Sequence, residues 1–248
     1  MIRIVVPMGG EGRQFSERGY TFPKPLIEVA GQPLIELVVR NLTPQQPHQF
    51  VFICRAEHVQ RYALADVLRL VAPGCEIVTM NKPTAGALCS VLLGLEHLQH
   101  DTELVVANAD QWIDVPIDRF LMVARESDWD GGIMTFPNTH PRWSYARVEG
   151  DAVVAVAEKQ PISRHATAGI YYFRRGTDFV AAAERMLLKN ASLGGEYYVA
   201  PVFNEFILSG RRVGHFPIAA SEMHGLGTPE ELERFQARAY VAPAFASC

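Results

Sequence analysis

Cysteine, basic charge and long apolar runs are all scarce in this chain, and each scarcity removes a class of function. Its 248 residues hold four cysteines, Cys54, Cys75, Cys89 and Cys248, with no C-x-x-C pair. Scattered thiols, one of them (Cys54) inside an apolar strand-like run, point to buried cysteines in a reducing cytoplasm rather than to disulfides or zinc. A formal net charge of -4 argues against the basic stripe of a nucleic-acid binder. No apolar run approaches a membrane span, and the N-terminus lacks a basic region followed by a cleavable apolar segment. Neither a nucleic acid nor a membrane is therefore expected as a partner. There is no internal repeat, low-complexity tract or long linker. At 48% hydrophobic and 20% charged residues, the composition is that of an ordinary soluble globular protein.

Two phosphate-loop signatures are also missing. A dinucleotide fingerprint requires G-x-G-x-x-G, and Phe15 stands where the third glycine would follow Gly10 and Gly12. This disfavours a nicotinamide-binding oxidoreductase. No stretch supplies the G-x-x-x-x-G-K-[ST] of a Walker loop.

What is present lies mostly in residues 7–26. The apolar run Ile2, Ile4, Val5, Val6 reads as a short buried strand, and Met8, Gly9, Gly10 and Gly12 follow it as a glycine loop. Such a loop lets backbone amides approach an anion closely. Arg13 closes the loop, and eleven residues later Lys24 is held between Pro23 and Pro25. Free amides with two flanking cations suit a triphosphate; a glycine turn with two solvated cations is the plainer alternative.

Further along, strands and helices alternate. Helices are expected at 33–42, 57–70 and 86–98, and strands at 50–54, 76–80 and 103–107. This rhythm implies crossover units and a mainly parallel sheet. Ligands then collect beyond the carboxyl ends of the strands, where the glycine loop, Asn81 and Asp110 should converge. From Trp129 four closely spaced strands follow, at 131–136, 145–149, 153–157 and 167–173, with Gly150-Asp151 as a hairpin turn. Helices at 176–189 and 198–208, a strand at 213–216 and a helix at 229–238 complete the chain. Asp110, after Val105-Val106-Ala107-Asn108-Ala109, is either a helix cap or a Mg²⁺ ligand, since Mg²⁺ takes only one or two protein carboxylates.

The loop, its arginine and the Pro-Lys-Pro segment together resemble the signature of the sugar-phosphate nucleotidyltransferases, and weaker likenesses run over roughly residues 2–232. That resemblance implies an α/β fold: a Rossmann-like, mainly parallel mixed sheet flanked by helices, with an inserted β-rich acceptor lobe. One nucleotidyltransferase domain is expected over 1–240, with a nucleotide-binding half at 1–128, an acceptor-binding half at 129–240 and a tail at 241–248. It further implies that Arg13 and Lys24 are catalytic. Met8, Gly9, Gly10, Gly12, Asn81, Gly86 and Asn108 would bind the nucleotide, and Asp110 would hold Mg²⁺. Tyr145, Glu158, Lys159, Gly169 and Glu196 would face the acceptor; Glu158-Lys159-Gln160-Pro161 is similar to the family's Glu-Lys-Pro with one residue inserted. The partners implied are a nucleoside triphosphate and a small phosphorylated acceptor, with a homo-oligomer left open.

One position departs from the pattern. Met223-His224-Gly225-Leu226-Gly227-Thr228-Pro229-Glu230 resembles the family's Trp-x-Asp-x-Gly-Thr-Pro-Glu, but Gly225 replaces the aspartate expected as a second metal ligand. Glu222 and His224 are the nearest substitutes. The segment Gly19 to Leu26 resembles a branch associated with capsule and lipopolysaccharide genes. The expected reaction joins a nucleoside triphosphate to a sugar 1-phosphate. Transfer of CMP to a non-sugar phosphomonoester, and a non-catalytic nucleotide sensor, stay open beside it.

Overall fold

The computed structural model describes residues 1–241. Cys54, Cys75 and Cys89 are free thiols; Cys248 and the tail beyond Val241 lie outside the described residues.

Strand β1 (Ile2–Met8) is the apolar run at the N-terminus. Ile2, Ile4 and Val6 enter one hydrophobic core and Val5 the other, so the strand is covered on both faces. Successive apolar residues are what such a position requires, and each fully buried side chain contributes about 1.5–3 kcal/mol. The glycine loop leads into a single helical turn, α1 (Arg13–Ser16), then a 3₁₀ turn (Lys24–Leu26) and a small ladder of β2 (Glu28–Val29) with β3 (Gln32–Pro33). Helix α2 (Leu34–Leu42) starts just after Pro33 and buries Leu34, Leu37, Val38 and Leu42.

Strands β4 (His48–Arg55) and β5 (Glu76–Met80) flank a helical segment that the apolar periodicity reads as one helix. The structure breaks it into α3 (Ala56–Tyr62) and α4 (Leu64–Val71), with Ala63 at φ +51° between them. The next expected helix is likewise divided at Gly94 into α5 (Ala87–Leu92) and α6 (Leu95–Leu98). There a Cβ would lie 3.2 Å from the Ile53 side chain. Strand β6 (Leu104–Ala107) precedes two elements not expected from the sequence, the short β7 (Gln111–Ile113) and α7 (Ile117–Glu126), which buries Ile117, Phe120, Leu121 and Ala124 at helical spacing.

In the second half come β8 (Gly131–Pro137), β9 (Ser144–Glu149), β10 (Ala152–Glu158) and β11 (His165–Phe173). Ala152 pairs with Glu149, which leaves Gly150-Asp151 as the two-residue hairpin turn. Helix α8 (Gly176–Leu188) is followed by α9, which spans only Val202–Leu208 because Pro201 sits at its start. Strand β12 (Val213–Pro217), β13 (Met223–Gly225) and helix α10 (Pro229–Val241) end the described chain.

Nine strands form one mixed sheet in the order β5-β4-β1-β6-β11-β8-β12-β10-β9. Its first four strands are parallel, while β11 runs antiparallel to both β6 and β8. The four strands after Trp129 thus continue the same sheet. Because β1, β4, β5 and β6 run in one direction, everything that follows them emerges at one edge. A separate two-strand ladder of β7 with β13 brings the C-terminal segment back to that edge.

Candidate active site

The glycine loop is built for close approach. The amides of Gly10, Glu11 and Gly12 donate to no group among the described residues, and a Cβ at Gly10 would meet nothing within 4 Å. Gly12 turns the chain at φ +64°. Gly9 touches the neighbouring elements: a Cβ there would lie 2.7 Å from Sδ of Met80 and 3.4 Å from Oγ of Ser90. The loop therefore rests on the end of β5 and on α5. Phe15, in place of a third glycine, is buried and meets Tyr20 edge to face with centroids 5.3 Å apart.

Lys24 crosses this loop. Pro25 is buried and anchors the turn, and a Cβ at Gly12 would sit 3.5 Å from Cβ of Lys24. The ammonium reaches Oδ2 of Asp110 at 2.8 Å, with the lysine side chain only 20% exposed. Arg13 behaves differently. Its side chain is 77% exposed and its guanidinium is held by Glu11. That partner keeps the Glu11 carboxyl below the usual carboxylate range. Glu11 also lies 3.8 Å from Arg55 at the end of β4, so a carboxylate inside the loop stands between two cations.

Asn81 is exposed in the turn after β5. Five residues on, Gly86 has φ +106° and ψ 175°, a combination essentially confined to glycine. A Cβ there would strike the Tyr197 backbone at 2.5 Å. Tyr197 in turn donates its amide to the Ala85 carbonyl at 2.8 Å and accepts from the Leu88 amide at 3.0 Å. Thr84 and Ser90 share a hydroxyl hydrogen bond of 2.7 Å beside it.

The two halves meet at Gly169, which lies at an irregularity of β11 with φ +72°. Its carbonyl accepts from the Asn108 amide at 2.9 Å and from Nε2 of Gln111 at 3.1 Å. A Cβ would lie 2.4 Å from the Asn108 side chain. Tyr171, two residues on, is buried, with its hydroxyl 3.0 Å from Thr167 Oγ1. Burial first, then the charges of Glu158 and Asp110, raise its pKa, so the hydroxyl stays protonated.

On the acceptor side, Glu158 is held by Ser144, and burial raises its carboxyl pKa. Lys159, at φ +54°, places its ammonium 2.6 Å from the Tyr198 hydroxyl, which donates to Glu196. Tyr145 is not brought to the surface of this pocket. It is fully buried, and its hydroxyl donates to the His140 carbonyl at 2.6 Å.

Sequence reasoning passed over Glu11, Arg55, Gln111, Arg142 and Glu231. Only Glu231 carried a readable signal, because Thr228-Pro229-Glu230-Glu231 is a reciprocal helix cap of the T-x-x-E type. Glu222 and His224 both point elsewhere. Glu222 accepts from the Ala219 amide at 2.7 Å, and His224 lies 3.0 Å from Asp114 and beside Arg238.

The fold and this site define a nucleotide-handling α/β protein. Residues 4–164 match the model of the MobA-like NTP transferase domain, and the chain belongs to that family. It is a nucleotidyltransferase. Among solved structures, it is similar to a nucleoside-diphosphate-sugar pyrophosphorylase from Vibrio cholerae RC9, at 27% identity and TM-score 0.79, over 94% of this chain and 99% of that one. It shares its fold with a UDP-glucose pyrophosphorylase complexed with UDP-glucose (16% identity, TM-score 0.76, 97% and 99% covered). The same holds for the inositol-1-phosphate CTP transferase of T. maritima (14% identity, TM-score 0.74, 99% and 98% covered). No curated protein matches the sequence significantly.

Proposed function

We propose that this enzyme joins a nucleoside triphosphate to a sugar 1-phosphate, releasing pyrophosphate and giving a nucleotide-activated sugar for surface polysaccharide synthesis. The observation that carries the reading is the contact between Lys24 and Asp110 beneath free loop amides. The ammonium is a stand-in for positive charge on the carboxylate expected to hold a divalent ion, and phosphates that draw Lys24 away would leave Asp110 open to the metal. No group of three or more His, Cys, Asp or Glu side chains gathers among the described residues. One or two carboxylates are all that Mg²⁺ needs.

In this reading an oxygen of the acceptor phosphate attacks the α-phosphorus in line, and the bond from that phosphorus to the bridging oxygen of pyrophosphate breaks. The protein supplies position and positive charge. The amides of Gly9 to Gly12 cradle the phosphates, with Met8 beneath them, and Lys24 turns from Asp110 to neutralise the developing charge. Arg13 joins it when released from Glu11. Asn81, Gly86 and Asn108 frame the nucleoside. When bound on Asp110, Mg²⁺ would supply Lewis-acid stabilisation of the phosphoryl oxygens. Residues 1–128 would serve the nucleotide and 129–240 the acceptor, with Lys159 on its phosphate and Glu158, Glu196 and Gly169 along the sugar.

A specific pair of contacts favours an anionic acceptor over a cationic head group. The Tyr198 ring already faces the Lys159 ammonium at 4.7 Å, and Trp143 already faces Arg142 at 4.4 Å. Each of these rings thus already has one face taken by a cation of the protein's own, which leaves less aromatic surface for a choline-like group. No helix among the described residues is long and apolar enough to cross a membrane, and the free thiols of Cys54, Cys75 and Cys89 support a reducing cytoplasm. The test is pyrophosphate release with CTP, UTP, GTP, ATP and dTTP against sugar 1-phosphates and small phosphomonoesters. Release with a sugar 1-phosphate is expected. Tight nucleotide binding without release across the panel would replace this reading with a sensor.

A further inference from the structure

Gly225 stands where the family pattern has an aspartate, yet a carboxylate fills the space. A Cβ built on Gly225 would lie 2.6 Å from Cδ of Glu231 and 2.7 and 2.8 Å from its two oxygens. No side chain could start there while Glu231 keeps its place. At Gly227 a Cβ would lie 3.3 Å from both Oδ2 of Asp110 and Oε2 of Glu231. The two carboxylates therefore flank one backbone point. The backbone fixes this arrangement, because the Leu226 amide donates to the Asp110 carbonyl at 2.7 Å.

Resting on the assignment of Asp110 above, we propose that Glu231 has taken over, from six residues downstream, the second carboxylate of the divalent-cation site. It acts directly or through one of the waters that Mg²⁺ retains. The two oxygens have different duties. Oε2 accepts from the amides of Gly227 at 3.0 Å and Thr228 at 3.2 Å, while Thr228 Oγ1 accepts from the Glu231 amide at 3.2 Å, which caps α10. Oε1 is outside the cap and pairs with Arg142, whose side chain is 46% exposed against 12% for Glu231. A pair with so exposed a partner is weak and can yield to a metal. The cap needs an oxygen acceptor, which glutamine still supplies. A cation site needs the negative charge, and this difference separates the two roles.

The experiment uses Mn²⁺ alone as the probe, with the free ion counted by electron paramagnetic resonance on the full chain. Wild type is expected to bind Mn²⁺. Asp110→Asn and Glu231→Gln should each weaken binding by about tenfold or more, with Glu231→Gln still folded and melting cooperatively. The double variant Gly225→Asp, Glu231→Ala vacates the space and returns a carboxylate from the other position, so it should regain wild-type affinity; if Glu231→Gln fails to fold, Arg142→Ala carries the test, since it frees Oε1 without touching the cap and should tighten Mn²⁺ binding, whereas unchanged binding would overturn the inference. Wild-type affinity in Glu231→Gln with loss in Asp110→Asn overturns this inference and leaves the Asp110 assignment standing. Wild-type affinity in Asp110→Asn, or no binding by wild type, overturns both.

Discussion

The ammonium of Lys24 lies 2.8 Å from Oδ2 of Asp110, joining the loop after β1 to the turn after β6 across 86 positions of sequence. In the free enzyme each group neutralises the other. Substrate phosphates would compete for the lysine and a divalent cation for the carboxylate, so the pair would open as the ternary complex forms.

Lys24→Ala and Arg13→Ala should each lower the turnover rate by about 10²-fold or more, as loss of one electrostatic stabiliser does. Steady-state pyrophosphate release measures it. Full activity in both variants would remove the loop from the mechanism.

Chelation should stop the reaction. Pyrophosphate release is expected to vanish in excess EDTA and to return on adding Mg²⁺, because without the metal the Asp110 carboxylate offsets Lys24 and leaves the phosphates under-neutralised. Undiminished release in EDTA would contradict a metal at Asp110.

Lys159→Met should raise KM for the acceptor by about 10- to 100-fold, the worth of one hydrogen bond to a charged group, and leave KM for the nucleotide unchanged. Equal effects on both substrates would place Lys159 outside the acceptor site.

Gly86→Ala should destabilise the fold by about 2 kcal/mol or more, from a backbone conformation closed to alanine and a clash with the Tyr197 main chain. Urea denaturation reads the change. A variant as stable as wild type would mean that the 85–88 and 193–197 segments do not dock as described.

Acid should weaken the fold partly through Glu103. Burial raises its pKa, but hydrogen bonds from Arg125 at 2.5 and 2.6 Å and from Tyr172 at 2.8 Å outweigh burial and leave it below 4.5. A carboxyl with a depressed folded pKa contributes stability that is present above its unfolded value and is lost as pH falls through the folded one. Glu103→Gln should therefore flatten the decline of melting temperature below about pH 4.5; an unchanged slope would assign the decline to other groups.

Local patterns in the chain determined a good deal. Apolar runs bounded by turn residues located β1, β4 and β6, because strands covered on both faces are apolar nearly throughout. Gly150-Asp151 determined its own hairpin, and Pro33 the start of α2. The loop glycines and the Pro-bracketed Lys24 were legible as a unit from residue types alone, and the fold sets that lysine against Asp110. Tertiary contact decided the rest. The breaks at Ala63 and Gly94 leave no trace in apolar periodicity, which continues across them; α7, by contrast, was legible in Ile117, Phe120, Leu121 and Ala124 at helical spacing and was missed. Arg13 reads as a loop cation until Glu11 is seen to hold its guanidinium. Most of all, residue 225 shows a lost carboxylate in one dimension, whereas folding a helix N-terminus against β13 places the Glu231 carboxylate in the same volume. Spacing along a chain records which charges exist; only packing determines which of them share a site.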